Sequence, residues 1–325
     1  MSSLKSAMNL TAGAAVMLLA SGFSAEAQVG EVCGDRQYIQ ASSERLLTDA
    51  DIADFGTHEL RFARNEIYAR HGYAFQSFDL DRWFSGCDWY HHPSNDVVLS
   101  DVEEANLDFI RAAEELNALP LPEESYTARF VVTESDTLFP FIEGEHFMIY
   151  QDGKMVLELI GEVGEGGDHT IQIHDFGGGG PSVPLIGGGE TIAEVAEFPM
   201  DLTYGTIYSA SRYPFLLSPA AREAFRVSSK RGGETDLDGR PATLFEIATP
   251  YSEYSGEEIS GSVWISDHGI TLKAELEGRF APEGQEEYRD FSIDYHLDEV
   301  KPRPIDAQYF EVPEMEEGAG FTAPG

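Results

Sequence analysis

The spacing of apolar residues changes once along this chain of 325 residues, and that change constrains the architecture most. Residues 28–118 carry helix caps and apolar residues at helical spacing. Residues 128–315 carry segments in which apolar and polar residues alternate, as in antiparallel strands with one buried face. A proline-rich, acidic stretch at 119–127 predicts a linker between them, and residues 316–325 a tail. The predicted fold class is α+β, with a small, mostly helical N-terminal domain before the sheet.

Capping residues predict the main helices of the N-terminal domain. Thr57 can cap a helix over residues 58–71, and Gly72 follows where a left-handed C-cap is needed. Ser100 and Glu103 form a capping box that opens a later helix. The apolar residues of that later helix recur at helical spacing, at Ala105, Leu107, Ile110, Ala113 and Leu116.

Alternation is clearest in two segments of the C-terminal part, whose apolar positions are Ile270, Leu272, Ala274 and Leu276, and then Phe291, Ile293, Tyr295 and Leu297. Pairs that end in Gly predict hairpin turns at 152–153, 238–239 and 268–269. Residues 220–225 are predicted to form a helix. The Gly-rich stretches 177–180 and 187–189 lack the Lys of a phosphate-binding loop and are predicted to be a surface loop.

The first residues have the pattern of a secretory signal. Lys5 precedes a short apolar run at 12–20, and Ala25-Glu26-Ala27 provides the small-residue cleavage site. We therefore predict a signal peptide at 1–27, cleaved after Ala27, and a periplasmic or extracellular protein. No later stretch is apolar and long enough for a transmembrane helix, so no transmembrane anchor is expected.

The net charge of −37 argues against one class of partner. Fifty-eight acidic side chains against 21 basic ones repel phosphate backbones, so nucleic-acid binding is not expected. A solvated acidic surface of this kind is typical of a protein that must remain soluble outside the cell.

The two cysteines, Cys33 and Cys87, both lie in the N-terminal domain. In an oxidising compartment an even pair predicts a disulfide. Closing a loop of that length contributes on the order of 4 kcal/mol in the chain-entropy model. The alternative is a zinc site with His71, His91 or His92. Two distant cysteines without a C-x-x-C spacing indicate it only weakly, and no metal or cofactor is predicted.

On a helical wheel, Leu60, Ala63 and Ile67 form the apolar stripe of the helix over 58–71. Polar groups border this stripe, namely Arg64, Tyr68 and His71 on one side and Arg70 on the other. A guanidinium at the edge of a core needs a carboxylate or carbonyl partner. Glu59, Asp79 and Asp81 are available as partners.

The run Arg-Asn-Glu-Ile-Tyr-Ala-Arg-His-Gly-Tyr-Ala-Phe at 64–75 resembles the YARHG domain, a bacterial extracytoplasmic module. The resemblance covers residues 38–114, including Trp89 and Tyr90 and the segment 104–107. It implies the compartment and the domain but no chemistry.

Two interpretations of the motif follow. In the first, its polar residues tie together a small domain with a modest core. In the second they form a pocket for a glycan, a peptide or another cell-envelope polymer, either as an enzyme or as a binding module. The hypothetical ligand-binding residues are Arg64, Asn65, Tyr68, Arg70, His71, Trp89 and Tyr90. No carboxylate pair or nucleophile and base stand at a catalytic spacing, so no catalytic residue is predicted.

The strand motifs at 238–246, 261–266, 269–275 and 310–313 are similar to the last part of the LolA/LolB-like superfamily of periplasmic lipoprotein carriers. This resemblance implies a curved antiparallel half-barrel with covering helices and an apolar cavity, which takes acyl chains or an apolar protein segment. The predicted function is a non-enzymatic binding protein for a lipid or apolar segment. Its YARHG module would contact the envelope or a partner.

Overall fold

The computed structural model describes residues 33–91, 95–134, 144–160, 168–175, 183–188, 191–195, 227–249, 258–280 and 289–310. In these ranges, helices α1 (Thr57–Arg70), α2 (Phe78–Ser85) and α3 (Asp101–Asn117) precede every strand. Short 3₁₀ turns span Gln40–Ser43, Asp49–Asp51 and Ala307–Phe310. The predicted change from helices to strands is therefore confirmed.

Helix α1 begins one residue earlier than its sequence predicts. Gly56 is the N-cap, and its N–H donates to the Glu59 carboxylate at 3.0 Å. The prediction that Thr57 caps the helix is wrong, because Thr57 is already helical and its hydroxyl contacts the sheet. At the other end Gly72 has φ 75°, which confirms the left-handed C-cap.

Helix α3 opens with the predicted capping box. The Ser100 N–H donates to the Glu103 carboxylate at 2.9 Å, and the Glu103 N–H donates to the Ser100 hydroxyl at 3.3 Å. Leu107 and Ile110 are buried against α1, as the helical spacing predicts. Leu116 is instead 61 % exposed, whereas Asn117 beside it contacts β7.

All strand pairs within the described ranges are antiparallel and belong to one twelve-stranded sheet. Its order is β6-β5-β4-β3-β2-β1-β11-β10-β9-β8-β7, with β12 beside β1, and it is open between β6 and β7. The strands are β1 Tyr126–Glu134, β2 Gly144–Gln151, β3 Lys154–Ile160, β4 Asp168–Asp175, β5 Val183–Gly188, β6 Thr191–Val195, β7 Ser228–Leu237, β8 Arg240–Ala248, β9 Glu258–Ser266, β10 Thr271–Phe280, β11 Arg289–Leu297 and β12 Lys301–Pro302.

The three predicted hairpin turns are confirmed. Positive φ angles occur at each of them, at Asp152 and Gly153, at Asp238 and Gly239, and at Gly269. The predicted Gly-rich loop is wrong at Gly187 and Gly188, which belong to β5. Their backbone pairs with β4 opposite His169 and Asp168, and backbone pairing needs no side chain. Residues 177–180 and the predicted helix at 220–225 lie outside the described residues.

The sheet bends at the end where β8 starts and β11 finishes. Strands β9 and β10 lie between these two strands. In a flat sheet that separation is about 14 Å, since neighbouring strands are about 4.8 Å apart, and an arginine side chain does not reach so far. The Arg240 guanidinium nonetheless donates to the carbonyls of Leu297 and Asp298, at 3.0 and 3.1 Å. The fold is thus α+β with a curved, open antiparallel sheet.

One face of the sheet is buried and apolar. Cross-strand pairs place its residues together: Phe245 lies opposite Val263, and Leu276 opposite Ile293. We call this surface the apolar face, and it comprises Tyr126, Ala128, Phe130, Met148, Tyr150, Phe245, Ile247, Val263, Ile265, Ala274, Leu276, Ile293, Tyr295 and Leu297. The opposite face carries charged groups, such as Lys273 and Glu275.

The linker packs on the sheet. Leu119 is buried in the same cluster as the apolar face, and the Glu123 N–H donates to the His268 carbonyl at 3.1 Å. Gly269 lies so close to this segment that a Cβ there would come within 1.9 Å of the Leu121 carbonyl oxygen. The chain between the helices and the strands is therefore held against the β9–β10 hairpin.

Candidate functional site

Arg70 of the YARHG motif lies at the last turn of α1 and faces the chain that precedes the helix. Its guanidinium donates to the Ser42 hydroxyl at 2.6 Å, to the Ser43 hydroxyl at 3.2 Å and to the Ile39 carbonyl at 2.8 Å. It also pairs with the Glu66 carboxylate one turn earlier. These contacts engage both terminal nitrogens of the guanidinium within the protein itself.

Glu66 is one of the charged groups that sequence reasoning did not identify. Its side chain is 1 % exposed, and it accepts hydrogen bonds from the N–H groups of Tyr38 and Ile39 at 2.5 and 3.2 Å. Burial raises the pKa of Glu66, while Arg70 and the two N–H groups act in the opposite direction. Its spacing of four residues from Arg70 was the available signal. Together the two residues clamp the preceding chain onto α1.

Arg64 and Arg61 join α1 to the other two helices. Arg64 pairs with Glu114 of α3 at 2.8 Å, and Arg61 pairs with Asp79 of α2 at 2.5 Å. Burial works against ionisation of Asp79, but hydrogen bonds from Arg61 and Ser77 hold its pKa below the usual value. Among the described contacts Asp79 does not pair with the arginines of the motif, because Arg61, one turn earlier, faces α2.

Pairings of Glu59 and Asp81 with these arginines are also not found among the described contacts. Glu59 instead accepts from the Gly56 N–H and from the Ser228 hydroxyl. Sequence spacing identified which side chains need partners, whereas the packing of the helices determined which partner each one has.

His71 joins the end of α1 to the start of α3. Its Nε2 lies 2.9 Å from the Glu103 carboxylate, the same group that caps α3. Burial works to raise the pKa of Glu103, but hydrogen bonds from Ser100 and His71 outweigh it and lower that pKa to about 2. One carboxylate therefore serves both as a helix cap and as the partner of the histidine.

Asn65 and Tyr68 also make internal contacts. The Asn65 amide donates to the Arg61 carbonyl one turn back at 2.8 Å. The Tyr68 ring packs against both apolar clusters of the domain and lies 5.8 Å from the Tyr73 ring.

Trp89 and Tyr90, which follow α2, also make internal contacts. The Trp89 indole donates to the Arg36 carbonyl at 2.9 Å, and the buried Tyr90 hydroxyl donates to the Tyr73 carbonyl at 2.7 Å. Both rings lie about 6 Å from the Phe84 ring, at 6.0 and 6.4 Å. They belong to an aromatic cluster rather than to an exposed stacking wall.

Cys33 and Cys87 form the predicted disulfide, with Cα atoms 4.5 Å apart. The backbone on either side is also paired, since the Gly34 N–H donates to the Gly86 carbonyl at 3.1 Å and the Asp88 N–H to the Gly34 carbonyl at 2.9 Å. Because each sulfur is bonded to the other, the zinc alternative loses its thiolate ligands.

The seven residues of the hypothetical ligand site are thus distributed over separate contacts. Arg70 faces the chain before α1, Arg64 and His71 face α3, and Trp89 and Tyr90 face the second aromatic cluster. Arg70 and His71 are linked through Ser43, which accepts from Arg70 and hydrogen-bonds to Glu103, the partner of His71. The described contacts of Arg64, Trp89 and Tyr90 do not join this network. Ligand binding by the motif stays a prediction.

A second set of contacts, which sequence reasoning missed, joins the helical domain to strand β7. The Ser229 N–H donates to the Thr57 hydroxyl at 3.0 Å, and the Ser228 hydroxyl donates to the Glu59 carboxylate at 2.7 Å. Asn117 accepts from the Arg231 N–H at 2.7 Å through its side chain. Among the described strands β7 lies at one end of the sheet, and the helices satisfy backbone donors along it. The sequence did not reveal the contact of Thr57 with β7, because Thr57 also stands at a position that is typical of a helix cap.

The apolar face carries three buried tyrosines, on β1, β2 and β11. Tyr126 and Tyr150 are a cross-strand pair whose rings stack at 5.3 Å. The Tyr295 ring lies 5.8 Å from Phe130. Burial raises the pKa of Tyr126 and, well above its ordinary value, that of Tyr295, so both phenols stay protonated.

The family model of the YARHG domain matches residues 36–115, which confirms the resemblance of the N-terminal part. These residues include α1, α2 and nearly all of α3. No curated protein matches the chain.

The solved structures that are similar to this chain include two that each match 62 % of it. One is a LolA superfamily protein from Nitrosomonas europaea, with 10 % identity, 96 % of its own chain covered and a TM-score of 0.29. The other is a DUF1329 family protein from Desulfovibrio piger, with 8 % identity, 95 % of its chain covered and a TM-score of 0.28. Within the residues that the structure describes, no helix has both the length and the apolar composition that crossing a membrane requires.

Proposed function

We propose that this protein is an exported, non-enzymatic binding protein that holds a lipid or an apolar protein segment on the apolar face of its sheet. A signal peptide at 1–27 is cleaved after Ala27, and the mature chain acts in the periplasm or outside the cell. Residues 28–118 form the YARHG domain, 119–127 the linker and 128–315 the binding domain. The YARHG domain braces the sheet and offers its outer surface to the envelope or to a partner.

The observation that carries this proposal is the extent of the apolar face. It runs across six strands, β2, β1, β11, β10, β9 and β8, which are neighbours in the sheet. Among the described residues, the helices contribute no side chain to this cluster, and α1 and α3 meet the sheet at β7. A sheet with an apolar face needs a second apolar layer against it. The side chains of this face are already buried within the protein itself, so a bound lipid or apolar segment would replace the layer that packs on them.

The contacts of the YARHG motif support a bracing role for the helical domain. Its arginines, histidine and aromatic groups are engaged within the domain, and the disulfide closes the chain that precedes α1. Thr57 and Asn117 then fix this domain to the edge of the sheet. A rigid support of this kind keeps the curvature of the sheet constant.

Two properties support export. A disulfide between Cys33 and Cys87 forms and persists in oxidising compartments outside the cytosol. The net charge of −37 favours solubility and disfavours binding to anionic lipid surfaces.

Native mass spectrometry of the delipidated protein, refed with phosphatidylethanolamine vesicles, tests the proposal. Ala274 is 2 % exposed on the apolar face, and Ala274→Leu adds bulk at the centre of the proposed site. Overpacking of that kind costs about 1–3 kcal/mol, so the fold is checked by thermal melting. We expect bound lipid in the wild type and several-fold less in the variant.

Lys273→Gln is the matched control, since Lys273 is the neighbouring residue on the opposite face, beside Trp264. It should bind as much lipid as the wild type. A wild-type protein that stays free of lipid after refeeding contradicts the proposal.

A further inference from the structure

Tyr295 is one of the buried polar groups of the sheet that lack a hydrogen-bond partner. Its side chain lies on the apolar face and is 4 % exposed. Among the residues that the structure describes, its hydroxyl has no hydrogen-bond partner. Tyr150, on the same face, has its hydroxyl oxygen engaged by the Gly153 N–H at 3.1 Å. In the helical domain, the buried Tyr90 hydroxyl donates to a carbonyl.

A second unpartnered hydroxyl lies at the same end of β10 and β11. Thr271 is 2 % exposed, is opposite Ile265 of the apolar face, and its hydroxyl also has no partner in the described part of the chain. Most buried polar groups in proteins are hydrogen-bonded, and leaving one unpaired is unfavourable. Two such groups on one apolar face indicate that a bound molecule brings polar atoms to it.

Resting on the function proposed above, we propose that the Tyr295 hydroxyl donates a hydrogen bond to the carbonyl oxygen of a neutral acyl ester bound on the apolar face. The acyl chain would contact the aliphatic and aromatic side chains around Tyr295, such as Phe130, Ala274 and Ile293. The ester carbonyl would then be the one acceptor that this donor lacks.

An ester fits this position better than a carboxylate does. Burial raises the pKa of Tyr295 well above its ordinary value, so the phenol acts as a donor. The Arg231 guanidinium lies 5.9 Å from the Phe245 ring on β8, three strands from Tyr295 on β11. No described contact places a lysine or arginine beside Tyr295 to neutralise a carboxylate there. A buried anion without a partner is strongly disfavoured, and the net charge of −37 repels it further.

The test compares two lipids that differ only at the carbonyl. The delipidated protein is offered equal amounts of 1-monooleoylglycerol, an ester, and 1-O-oleylglycerol, the matching ether, and the bound fractions are read by native mass spectrometry. One hydrogen bond of ordinary strength corresponds to a preference of about tenfold for the ester. Tyr295→Phe should bind both lipids alike, at the wild-type level for the ether.

Tyr150→Phe is the matched control, because the Tyr150 hydroxyl is already engaged within the protein. It should keep the preference for the ester. Without lipid, Tyr295→Phe should melt at or above the wild-type temperature, since it removes an unpaired buried hydroxyl. A lower melting temperature reveals an internal partner and overturns the inference.

The two proposals fail differently. If the wild type binds ester and ether equally, or if Tyr295→Phe keeps the preference, the role of Tyr295 is wrong while apolar binding stands. If the wild type binds neither lipid and also takes nothing from the phosphatidylethanolamine vesicles, the proposed function is wrong.

Discussion

The helical domain and the sheet are stabilised by different kinds of contact. The helical domain has two small apolar clusters and relies on a disulfide, ion pairs and buried hydrogen bonds between its elements. The sheet has one extended apolar face and few polar contacts within it. The comparison teaches that the region richest in polar motif residues uses them in contacts within its own fold. The sheet, whose sequence shows only ordinary alternating strands, is the better candidate for binding a ligand.

The polar residues of the two regions differ in whether they have partners within the protein. In the YARHG domain they are used by the domain itself, as the partners of Arg64, Arg70 and His71 show. In the sheet the reverse holds, since a plain apolar face carries unpaired hydroxyls at Tyr295 and Thr271. The number of polar residues in a segment is therefore a weaker sign of a site than the number of polar atoms left without a partner.

The largest effect should come from breaking the clamp inside the helical domain. Arg70→Met removes the charged partner of Glu66, which is 1 % exposed, and leaves that carboxylate buried and unpaired. Losing one partner of such a pair lowers the free energy of unfolding by about 3–5 kcal/mol. Chemical denaturation measures this change. Adding Glu66→Leu to Arg70→Met should recover much of that loss. If Arg70→Met leaves the unfolding free energy unchanged, the motif is free for a ligand.

A smaller effect should come from the contact between the two regions. Asn117→Ala removes the acceptor of the Arg231 N–H on β7, and a lost hydrogen bond of this kind costs about 1–3 kcal/mol. We expect faster hydrogen exchange at the Arg231 amide. Asn117→Asp keeps the acceptor oxygen and should exchange as the wild type does, and Leu116→Ala is the control for an exposed neighbour. An unchanged exchange rate at the Arg231 amide in Asn117→Ala would show that this hydrogen bond does not hold the helical domain to the sheet.

A third effect concerns pH. The pKa of Glu103 is lowered from 4.5 to about 2, so its interactions stabilise the folded protein above pH 4.5 and are lost as the pH falls through 2. Over this window the unfolding free energy of the wild type should decline more steeply than that of Glu103→Gln. Parallel curves for the two proteins would show that the carboxylate does not link His71 to α3.

Much of the fold followed from local patterns. The capping box at Ser100, the left-handed Gly72 and the Gly-containing hairpin turns depend on a few adjacent residues, and all were predictable. The exposed Leu116 and the strand position of Gly187 were not, because they depend on where an element lies relative to its neighbours.

The site was harder to predict than the fold. The pairs of Arg64 and His71 join residues 50 and 32 positions apart, and no local rule selects those partners. Glu66 was the exception, since its spacing from Arg70 is local. The unpaired hydroxyl of Tyr295 shows only when the strands are in register, because alternation alone cannot reveal which buried group lacks a partner.

The most direct test of the division between scaffold and binding surface is lipid occupancy, measured by native mass spectrometry, in two variants side by side. His71→Ala alters the motif, and Ala274→Leu alters the apolar face. The account predicts that His71→Ala retains wild-type occupancy and that Ala274→Leu loses most of it, while both remain folded. Occupancy that falls in His71→Ala and persists in Ala274→Leu would contradict it.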